Sequence, residues 1–248
     1  MTKQALITGG QQGIGFGIAE ALVGAGFEVC LTSYVTPEDN SVQEALTRLG
    51  DTARYVQHDV TDLDGIEALL DSVGPITALV NNAGVGAPVR GDLLDLKPDS
   101  WDAVHEVNLR GAFFLTQAVA RRMIEMPADT YRSISFIGSV WAAMASVERA
   151  EYCVSKAGVA MVAQLFALRL AATGIGVFEL RPGIIESGMT AAVHDAYTPR
   201  IEGGLVPQRR WGVPSDIGSV VAAVASGQMP FSTGAVIPVD GGLSIPHF

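Results

Sequence analysis

A tyrosine and a lysine four residues apart, Tyr152 and Lys156, are the pair in this sequence best suited to chemistry. On a helix, that spacing puts both side chains on one face, with Cβ atoms about 5–6 Å apart. A free tyrosine has a pKa of about 10, and a nearby ammonium lowers that pKa because it favours the phenolate. A lowering of two to three units requires roughly 3–4 kcal/mol, and one cation at about 4 Å supplies about 4 kcal/mol at an effective dielectric near 20. The pair could therefore move a proton to or from an alcohol or a carbonyl.

Tyr-x-x-x-Lys also occurs by chance on many helices, so the rest of the chain has to support this interpretation. The chain has 248 residues, 48% of them hydrophobic, and a formal net charge of −10. Its length and apolar content suit a single α/β domain over residues 1–248. The charge disfavours nucleic acid, which calls for a basic surface, and equally disfavours an acidic membrane. A soluble, colloidally stable protein is the simplest interpretation of the charge.

The two cysteines, Cys30 and Cys153, are too few for a disulfide framework, and their spacing is not that of a metal site. We expect both to be small core residues and expect no bound metal. The stretch Met1–Gln4 leads into a strand without the pattern of a signal peptide. No apolar run reaches the length of a membrane span, so the expected location is the cytoplasm.

Short apolar segments alternate along the chain with helical patterns. Strands are expected at 5–8, 29–33, 55–60, 76–80, 132–137, 177–180 and 235–239. Helices are expected from about 18, at 42–49, from about 62, and at 100–126, 148–172 and 215–226. This alternation predicts a parallel sheet covered on both faces by helices. The irregular stretch 184–213 is longer than a connection needs, so we expect a lid or substrate loop.

A glycine-rich turn, Gly9-x-x-x-Gly13-x-Gly15, joins the first predicted strand to the first helix. Glycines let the backbone approach a pyrophosphate, and the helix N-terminus offers free N–H groups and the positive end of the helix dipole. The spacing differs from the common Gly-x-Gly-x-x-Gly pattern, and a tight turn without a ligand is the alternative. The position between strand and helix favours a nucleotide site.

The residue at the end of the second strand bears on the choice between NAD and NADP. NAD enzymes usually carry an acid about 20 residues past the glycines to hold the ribose hydroxyls, whereas an arginine nearby accommodates the extra phosphate of NADP. Here Ser33 takes that position, and no basic residue occurs between Lys3 and Arg48. Glu38 and Asp39 follow closely and would repel a phosphate. These residues slightly favour NAD, and both NAD(H) and NADP(H) stay open as the cofactor.

Small and polar residues also recur at the predicted carboxyl ends of the other strands, where open α/β sheets bind ligands. Asp59 is either a cap for the next helix or an adenine contact. Asn81–Gly84 is either a turn or part of a ligand crevice. Asn108, in the middle of a helix, is either a satisfied polar group or a catalytic residue. Ser139 and Pro182-Gly183 end two further strands.

In combination these residues resemble the short-chain dehydrogenase/reductase family over nearly the whole chain. The matching motifs are Thr8-Gly9-x-x-x-Gly13-x-Gly15, Asp59-Val60, Asn81-Asn82-Ala83-Gly84, Asn108, Ser139, Tyr152-x-x-x-Lys156 and Pro182-Gly183 followed by Ser187. Within the family, Val206-Pro207-x-x-Arg210-x-Gly212 and Val239-Asp240-Gly241-Gly242 are most similar to the 3-oxoacyl-[acyl-carrier-protein] reductase group. The resemblance implies a Rossmann-type doubly wound sheet of seven parallel strands and a nicotinamide cofactor.

The resemblance also implies a role for each catalytic residue. Tyr152 would be the acid/base, and Lys156 would lower its pKa and hold the nicotinamide ribose. Ser139 would orient the substrate oxygen. Asn108 would hold a water in a proton relay ending at Lys156. The implied reaction is hydride transfer between the nicotinamide and a carbonyl carbon, which interconverts a ketone and a secondary alcohol.

The resemblance assigns the cofactor to residues at the same sheet edge, with the glycines on the pyrophosphate. The full implied set is Thr8, Gly9, Gln12, Gly13, Ile14, Gly15, Ser33, Asp59, Val60, Asn81, Ala83, Gly84, Tyr152, Lys156, Pro182, Gly183, Ile185 and Ser187. Two departures from the family concern the cofactor. Gln12 stands where many NADP-using members have a basic residue, and Ser33 where many NAD-using members have an acid.

The expected substrate walls are mostly apolar and come from Val140, Trp141, Met144, Ile184 and Met189. Charged residues of the 184–213 loop either contact polar substrate groups or face solvent. Acyl carrier proteins are strongly acidic, so their reductase needs a basic docking patch. Residues 123–129 are acidic and apolar, and residues 171–174 carry no cation. We therefore expect a small free substrate, such as a ketone, a polyol or sugar, or an acyl derivative.

Two other functions remain possible on this fold. A non-catalytic dinucleotide-binding regulator would be expected to lack part of the catalytic set, which is complete here. A sugar-nucleotide epimerase or dehydratase would usually have a C-terminal substrate lobe beyond the seventh strand. The helices at 100–126 and 148–172 have more apolar surface than one sheet face needs, so we also predict a homotetramer, or a homodimer.

Overall fold

The computed structural model describes residues 3–127 and 130–246. Met1 and Thr2 of the predicted N-terminal start lie outside the described residues. So do Ala128 and Asp129 of the predicted acidic segment, and the last two residues.

One sheet of seven parallel strands forms the centre of the described fold, in the order β3-β2-β1-β4-β5-β6-β7. The strands are β1 (Gln4–Thr8), β2 (Glu28–Ser33), β3 (Ala53–Gln57), β4 (Ala78–Asn81), β5 (Arg132–Ile137), β6 (Ile175–Pro182) and β7 (Val236–Val239). The chain runs outwards from β1 in one direction to β3 and in the other from β4 to β7. This reversal creates the crevice in which doubly wound sheets bind ligands, and it confirms the predicted fold class.

Eight α-helices connect or flank the strands in the described part of the chain. They are α1 (Gly13–Gly24), α2 (Asn40–Leu49), α3 (Ile66–Val73), α4 (Pro98–His105), α5 (Ala112–Ile124), α6 (Ala150–Leu170), α7 (His194–Arg200) and α8 (Pro214–Ala225). Successive strand residues point to opposite faces, so Leu6 packs with Leu115 and Val159 on one face, and Ile7 packs with Ile18 on the other. The central strands are buried on both faces, as their nearly continuous apolar sequences require.

Two predicted boundaries near the third strand were wrong. The strand ends at Gln57 rather than at residue 60, and α3 begins at Ile66 rather than near residue 62. Asp59 instead closes a local turn, because its carboxylate accepts hydrogen bonds from the backbone N–H and the hydroxyl of Thr61, each at 2.9 Å. Asp59 is therefore not the cap of this helix, and the turn keeps it at the sheet edge.

Two longer elements also differ from the sequence prediction. The single helix expected at 100–126 is interrupted by a π-helical segment, Glu106–Gly111, between α4 and α5. The stretch 184–213 is not irregular throughout, since it contains α7 and a π-helical turn, Ile201–Leu205. The spacing of apolar residues in the sequence does not reveal either π-helical segment. A π-helical turn adds one residue to a helix, and the apolar pattern continues on both sides of it.

One helical stretch, Val147–Thr173, is long and apolar enough to cross a membrane by length and composition. This overturns the expectation that no segment reaches that length. In its most apolar 18-residue segment, 44% is buried within the fold. Core helices of globular proteins can be equally long and apolar. The apolar character is explained by packing, since Val159, Val162 and Ala163 belong to the core under the sheet.

Both cysteines are free thiols, and Cys153 is only partly buried, so the prediction that both lie in the core was wrong for Cys153. Cys30 is buried in β2, and burial raises the pKa of its thiol to about 11. Within the described residues, no group of three or more His, Cys, Asp or Glu side chains has the arrangement of a metal site.

Candidate active site

A cavity of about 400 Å³ lies at the carboxyl edge of the sheet, where residues following six of the strands meet. Most of the residues predicted to bind a cofactor line it. These are Gly9, Gln12, Gly13, Ile14, Gly15, Ser33, Asp59, Val60, Ala83, Gly84, Tyr152, Lys156, Pro182, Gly183, Ile185 and Ser187. Volumes of roughly 300–1,000 Å³ are typical of small-molecule and cofactor sites.

The glycine-rich turn forms one end of the cavity. Gly9 and Gly13 have φ of +63° and +53°, in the left-handed region that favours glycine. A Cβ atom at Gly15 would lie 2.1 Å from the carbonyl oxygen of Gly9. The Asn82 amide fastens the turn, because it donates to the carbonyls of Thr8 and Gly9 at 2.8 and 3.0 Å. The turn is thus a fixed concave backbone surface ahead of the N-terminus of α1.

Two of the predicted cofactor residues, Thr8 and Asn81, do not line the cavity. The Thr8 hydroxyl oxygen accepts hydrogen bonds from the backbone N–H groups of Asn82 and Ala83, at 3.0 and 2.9 Å. The buried Asn81 side chain donates to the Thr116 hydroxyl at 2.8 Å. Both side chains hold the ends of β1 and β4 in place, below the surface that a ligand would contact.

Ser139 and Tyr152 meet at the other end of the cavity. Ser139 ends β5, and its hydroxyl oxygen accepts a 3.2 Å hydrogen bond from the backbone N–H of Trp141. A side-chain hydrogen bond joins Ser139 to the Tyr152 hydroxyl. Burial raises the pKa of Tyr152, while the bond to Ser139 and the charge of Arg149 act against that rise. In this arrangement of the side chains Lys156 is not among the groups that lower this pKa, and its predicted effect on Tyr152 stays a prediction.

The reason lies in the direction of the Lys156 ammonium. It donates a 2.9 Å hydrogen bond to the carbonyl of Ile137 and lies 5.7 Å from the centre of the Tyr152 ring. Burial lowers the pKa of Lys156 to about 8, and the nearby carboxylate of Glu179 opposes that fall. The side chain is therefore mainly charged at neutral pH.

Glu179 is a buried acid next to this site that the sequence analysis missed. It is 1% exposed in β6, and its carboxylate is paired with the Arg181 guanidinium at 2.7 Å. Residues two apart on a strand share a face, which explains the pairing. Two charges within an otherwise apolar strand were the signal that could have revealed it.

Asn108 lies in the π-helical segment, but its side chain is fully engaged with protein. The amide oxygen accepts from the Val85 N–H at 2.8 Å, and the amide nitrogen donates to the Val85 carbonyl and to the Ser155 hydroxyl, both at 3.0 Å. The side chain thus fixes the segment that follows β4. Within the described residues, no hydrogen bond joins it to Lys156, whose ammonium donates to the carbonyl of Ile137.

The predicted substrate residues are placed less well than the cofactor residues. Of the five, Met189 lines the cavity, while Val140 is buried in the core. Trp141, Met144 and Ile184 are partly buried outside the cavity lining. Their contact with a substrate stays a prediction, because adjacency to Ser139 or Pro182 in sequence does not determine which way a side chain points.

Three comparisons with known proteins identify relatives of this chain. A family model described as enoyl-(acyl carrier protein) reductase matches residues 9–244. The 3-oxoacyl-[acyl-carrier-protein] reductase FabG of Salmonella typhimurium is 35% identical over 246 residues, covering 97% of each chain. A 3-oxoacyl-[acyl-carrier protein] reductase from Brucella melitensis, solved in complex with NAD, is 47% identical, with a TM-score of 0.93 over 100% of this chain and 99% of that one.

This chain belongs to the short-chain dehydrogenase/reductase family. It is an NAD(P)-dependent oxidoreductase that acts on CH–OH groups. A further relative from Agrobacterium tumefaciens, assigned as a 2-deoxy-D-gluconate 3-dehydrogenase, was solved with bound NADP. It is 31% identical, with a TM-score of 0.86 over 97% of this chain and 96% of that chain. The cofactor of the family member described here is a nicotinamide dinucleotide.

The cavity of this short-chain dehydrogenase/reductase suits such a cofactor on its own geometry. A Cβ at Gly15 would push apart the glycine turn itself, and such a backbone turn ahead of a helix N-terminus suits a pyrophosphate. Two buried polar atoms on the cavity wall, Gln11 Oε1 and His58 Nε2, have no hydrogen-bond partner in the structure. Buried polar groups are rarely left unpaired, so these two indicate a polar ligand. Burial lowers the pKa of His58 and keeps its ring neutral at pH 7.

Several lining residues were absent from the predicted set. They are Gln11, Tyr34, His58, Asn82, Val85, Val107, Ile137, Gly138, Gly188 and Thr190. Most are sequence neighbours of a predicted residue, such as His58 beside Asp59. Proximity in sequence to a predicted residue was the signal that could have revealed them. Each strand is followed by a turn, and in these turns a predicted residue and its neighbour both face the cavity.

Proposed function

We propose that this chain catalyses the NAD-dependent interconversion of a ketone and a secondary alcohol in a small free molecule. The observation that carries the proposal is the meeting of Ser139, Tyr152 and Lys156 at one end of a cavity whose other end is the glycine turn. A non-catalytic regulator would have no need of this arrangement. The sheet draws strands from the whole described length, which supports a single domain.

The residues divide the chemistry between them. When bound, the nicotinamide supplies or accepts the hydride. Tyr152 gives its phenolic proton to the carbonyl oxygen during reduction, and Ser139 donates a hydrogen bond to the same oxygen. The Lys156 ammonium stabilises the phenolate that remains. Burial raises the pKa of Tyr152, which keeps the phenol in the protonated form that reduction requires.

Asn108 contributes to the proton relay through its backbone carbonyl rather than through its side-chain amide. Its side-chain atoms are occupied by Val85 and Ser155. The π-helical turn in which it lies disturbs the regular hydrogen bonding of the helix, a feature frequent at functional sites. A water in the relay to Lys156 would therefore bond to a carbonyl of this turn.

The choice of NAD rests on the charge around the adenosine end of the cavity. Ser33 and Tyr34 line that end, and in the described residues Lys156 is the only lysine or arginine of the cavity wall, at the opposite end. A 2′-phosphate would thus lack the cationic partner that usually holds it. The relative solved with NAD is 47% identical to this chain, against 31% for the one solved with NADP.

Tyr34→Arg is expected to shift this preference towards NADP. Tyr34 is 71% exposed, so a guanidinium can replace it without disturbing the core. One charge-assisted contact to a phosphate corresponds to about a 10- to 100-fold tighter binding of NADPH. Fluorescence titrations of NADH and NADPH measure the ratio of the two dissociation constants. Ser215→Arg adds the same charge at an exposed position outside the cavity and should leave the ratio unchanged. Tighter binding of NADPH by the unmodified chain would refute the NAD assignment.

The small free substrate is supported by the charge of the chain. A net charge of −10 repels an acidic carrier protein. The turn that follows α6, Ala171–Thr173, carries no cation, although Arg169 lies in the last turn of the helix. Arg132 at the start of β5 is buried, and its guanidinium donates to the carbonyls of Met123 and Thr173. A panel of free ketones with NADH is expected to show turnover. A much higher kcat/KM for a carrier-bound 3-oxoacyl chain, lost at high salt, would instead support a carrier-protein substrate.

We also propose that the chain assembles into a homotetramer or homodimer through the faces of α4, α5 and α6. These helices form an apolar groove of about 540 Å³, away from the candidate active site. Phe114, Met161, Leu165 and Leu168 are exposed beside it or along the same helix, at 38–81%. Light scattering should give a multiple of 26.0 kDa, and a monomer at micromolar concentration would contradict this assembly.

A further inference from the structure

Arg149 lies next to the candidate active site but has no part in the chemistry described above. It ends the 3-10 turn Val147–Arg149 and immediately precedes α6, three residues before Tyr152. Its guanidinium stacks on the ring of Trp141, 4.7 Å from the ring centre. The backbone N–H of Trp141 in turn donates to the Ser139 hydroxyl oxygen. Arg149 is thus connected to both residues that would hold the substrate oxygen.

The guanidinium of Arg149 lacks an acceptor. Its Nε atom is buried without a hydrogen-bond partner, and no carboxylate of the described residues lies within salt-bridge distance. Arg132 also has a buried Nε without a partner, but its other guanidinium nitrogens donate to the carbonyls of Met123 and Thr173, and Arg181 is paired with Glu179. Arg149 as a whole is half-buried, but leaving its buried Nε–H unpaired is unfavourable, so the position favours an anion.

The neighbouring acids do not neutralise this charge. Glu148 is exposed, and the buried Glu151 accepts a 2.8 Å hydrogen bond from the Ser100 hydroxyl. The Arg149 guanidinium lies on the ring of Trp141, two residues from Ser139, and its charge also opposes the rise in the pKa of Tyr152. A substrate carbonyl held by Ser139 and Tyr152 would therefore lie close to an uncompensated positive charge.

We propose that Arg149 binds a carboxylate of the substrate, so that the substrate is a free oxo acid with its carboxylate a few bonds from the ketone. A stacked guanidinium keeps its edge free, and that edge matches the two oxygens of a carboxylate. One guanidinium balances one negative charge, which favours a carboxylate over a phosphate dianion. The inference rests on the proposed function. Hydride adds to the carbonyl carbon, the Tyr152 proton adds to its oxygen, NADH becomes NAD⁺, and the carboxylate is unchanged.

The test compares acetoacetate with its methyl ester, which differ in the negative charge and one methyl group. Arg149→Gln is expected to lower the ratio of kcat/KM for the acid to that for the ester by about 10- to 100-fold, mainly through KM for the acid. Arg149→Lys should restore part of the ratio. Arg169→Gln removes an exposed arginine from the far end of the same helix, about 30 Å away, and should leave the ratio as it is. An unchanged ratio in Arg149→Gln would overturn the inference.

The outcomes separate this inference from the proposed function. NADH binding by Arg149→Gln reports that the variant is folded, since Arg149 does not line the cofactor cavity. If the unmodified chain binds NADH but reduces neither compound, nor any ketone of the panel, the proposed function fails. If it reduces the ester and discriminates against the acid, the function stands and carboxylate binding by Arg149 is refuted.

Discussion

Replacing Tyr152 by phenylalanine is expected to lower turnover by roughly 10²- to 10⁴-fold, the usual contribution of a positioned acid. Phenylalanine keeps the ring that packs 5.7 Å from the Lys156 ammonium and loses only the hydroxyl bonded to Ser139. The glycine turn at the other end of the cavity is untouched, so NADH should still bind. Steady-state NADH oxidation with a ketone measures the first effect, and a fluorescence titration measures the second.

Tyr131→Phe is the matched control for this substitution. The Tyr131 hydroxyl is also buried but has no hydrogen-bond partner in the structure, and it lies just before β5, at the opposite edge of the sheet. Its removal should change neither turnover nor NADH binding. Near-normal turnover in Tyr152→Phe would show that another group donates the proton. Cofactor binding by the unmodified chain without turnover of any ketone would favour the regulator.

Gly15→Ala is expected to weaken NADH binding by at least about tenfold and to lower the free energy of unfolding by about 1–3 kcal/mol. The new Cβ would lie 2.1 Å from the Gly9 carbonyl oxygen and 2.6 Å from the Asn82 amide nitrogen. Both neighbours belong to the turn, so the backbone must shift and the concave surface is lost. NADH titration and denaturant unfolding monitor the two effects.

Gly24→Ala tests the same change at the other end of α1. No atom lies within 4 Å of a Cβ at Gly24. Alanine is favoured over glycine in a helix by roughly 0.5–1 kcal/mol, so this variant should be slightly more stable and bind NADH normally. Normal NADH affinity in Gly15→Ala would mean that the pyrophosphate does not lie on this turn.

The sequence by itself determined the architecture and the position of the site along the chain. Apolar strands alternate with helical patterns, and that alternation leaves few arrangements other than a parallel, doubly wound sheet. The carboxyl ends of parallel strands meet at one edge, so motifs such as Gly13-x-Gly15, Asp59 and Ser139 could be placed together without coordinates. Residues that act through the backbone or directly after a strand were therefore predictable.

Only the tertiary structure decided the electrostatics and the orientation of individual side chains. The pKa of Tyr152 is raised because burial outweighs its hydrogen bond and the nearby charge, and the sequence contains no measure of burial. Glu179 in β6 lies near Lys156 in α6, and Arg149 lies on the ring of Trp141, through contacts between different elements. Such contacts depend on how the helices and strands pack, whereas sequence patterns record only the local geometry of each element.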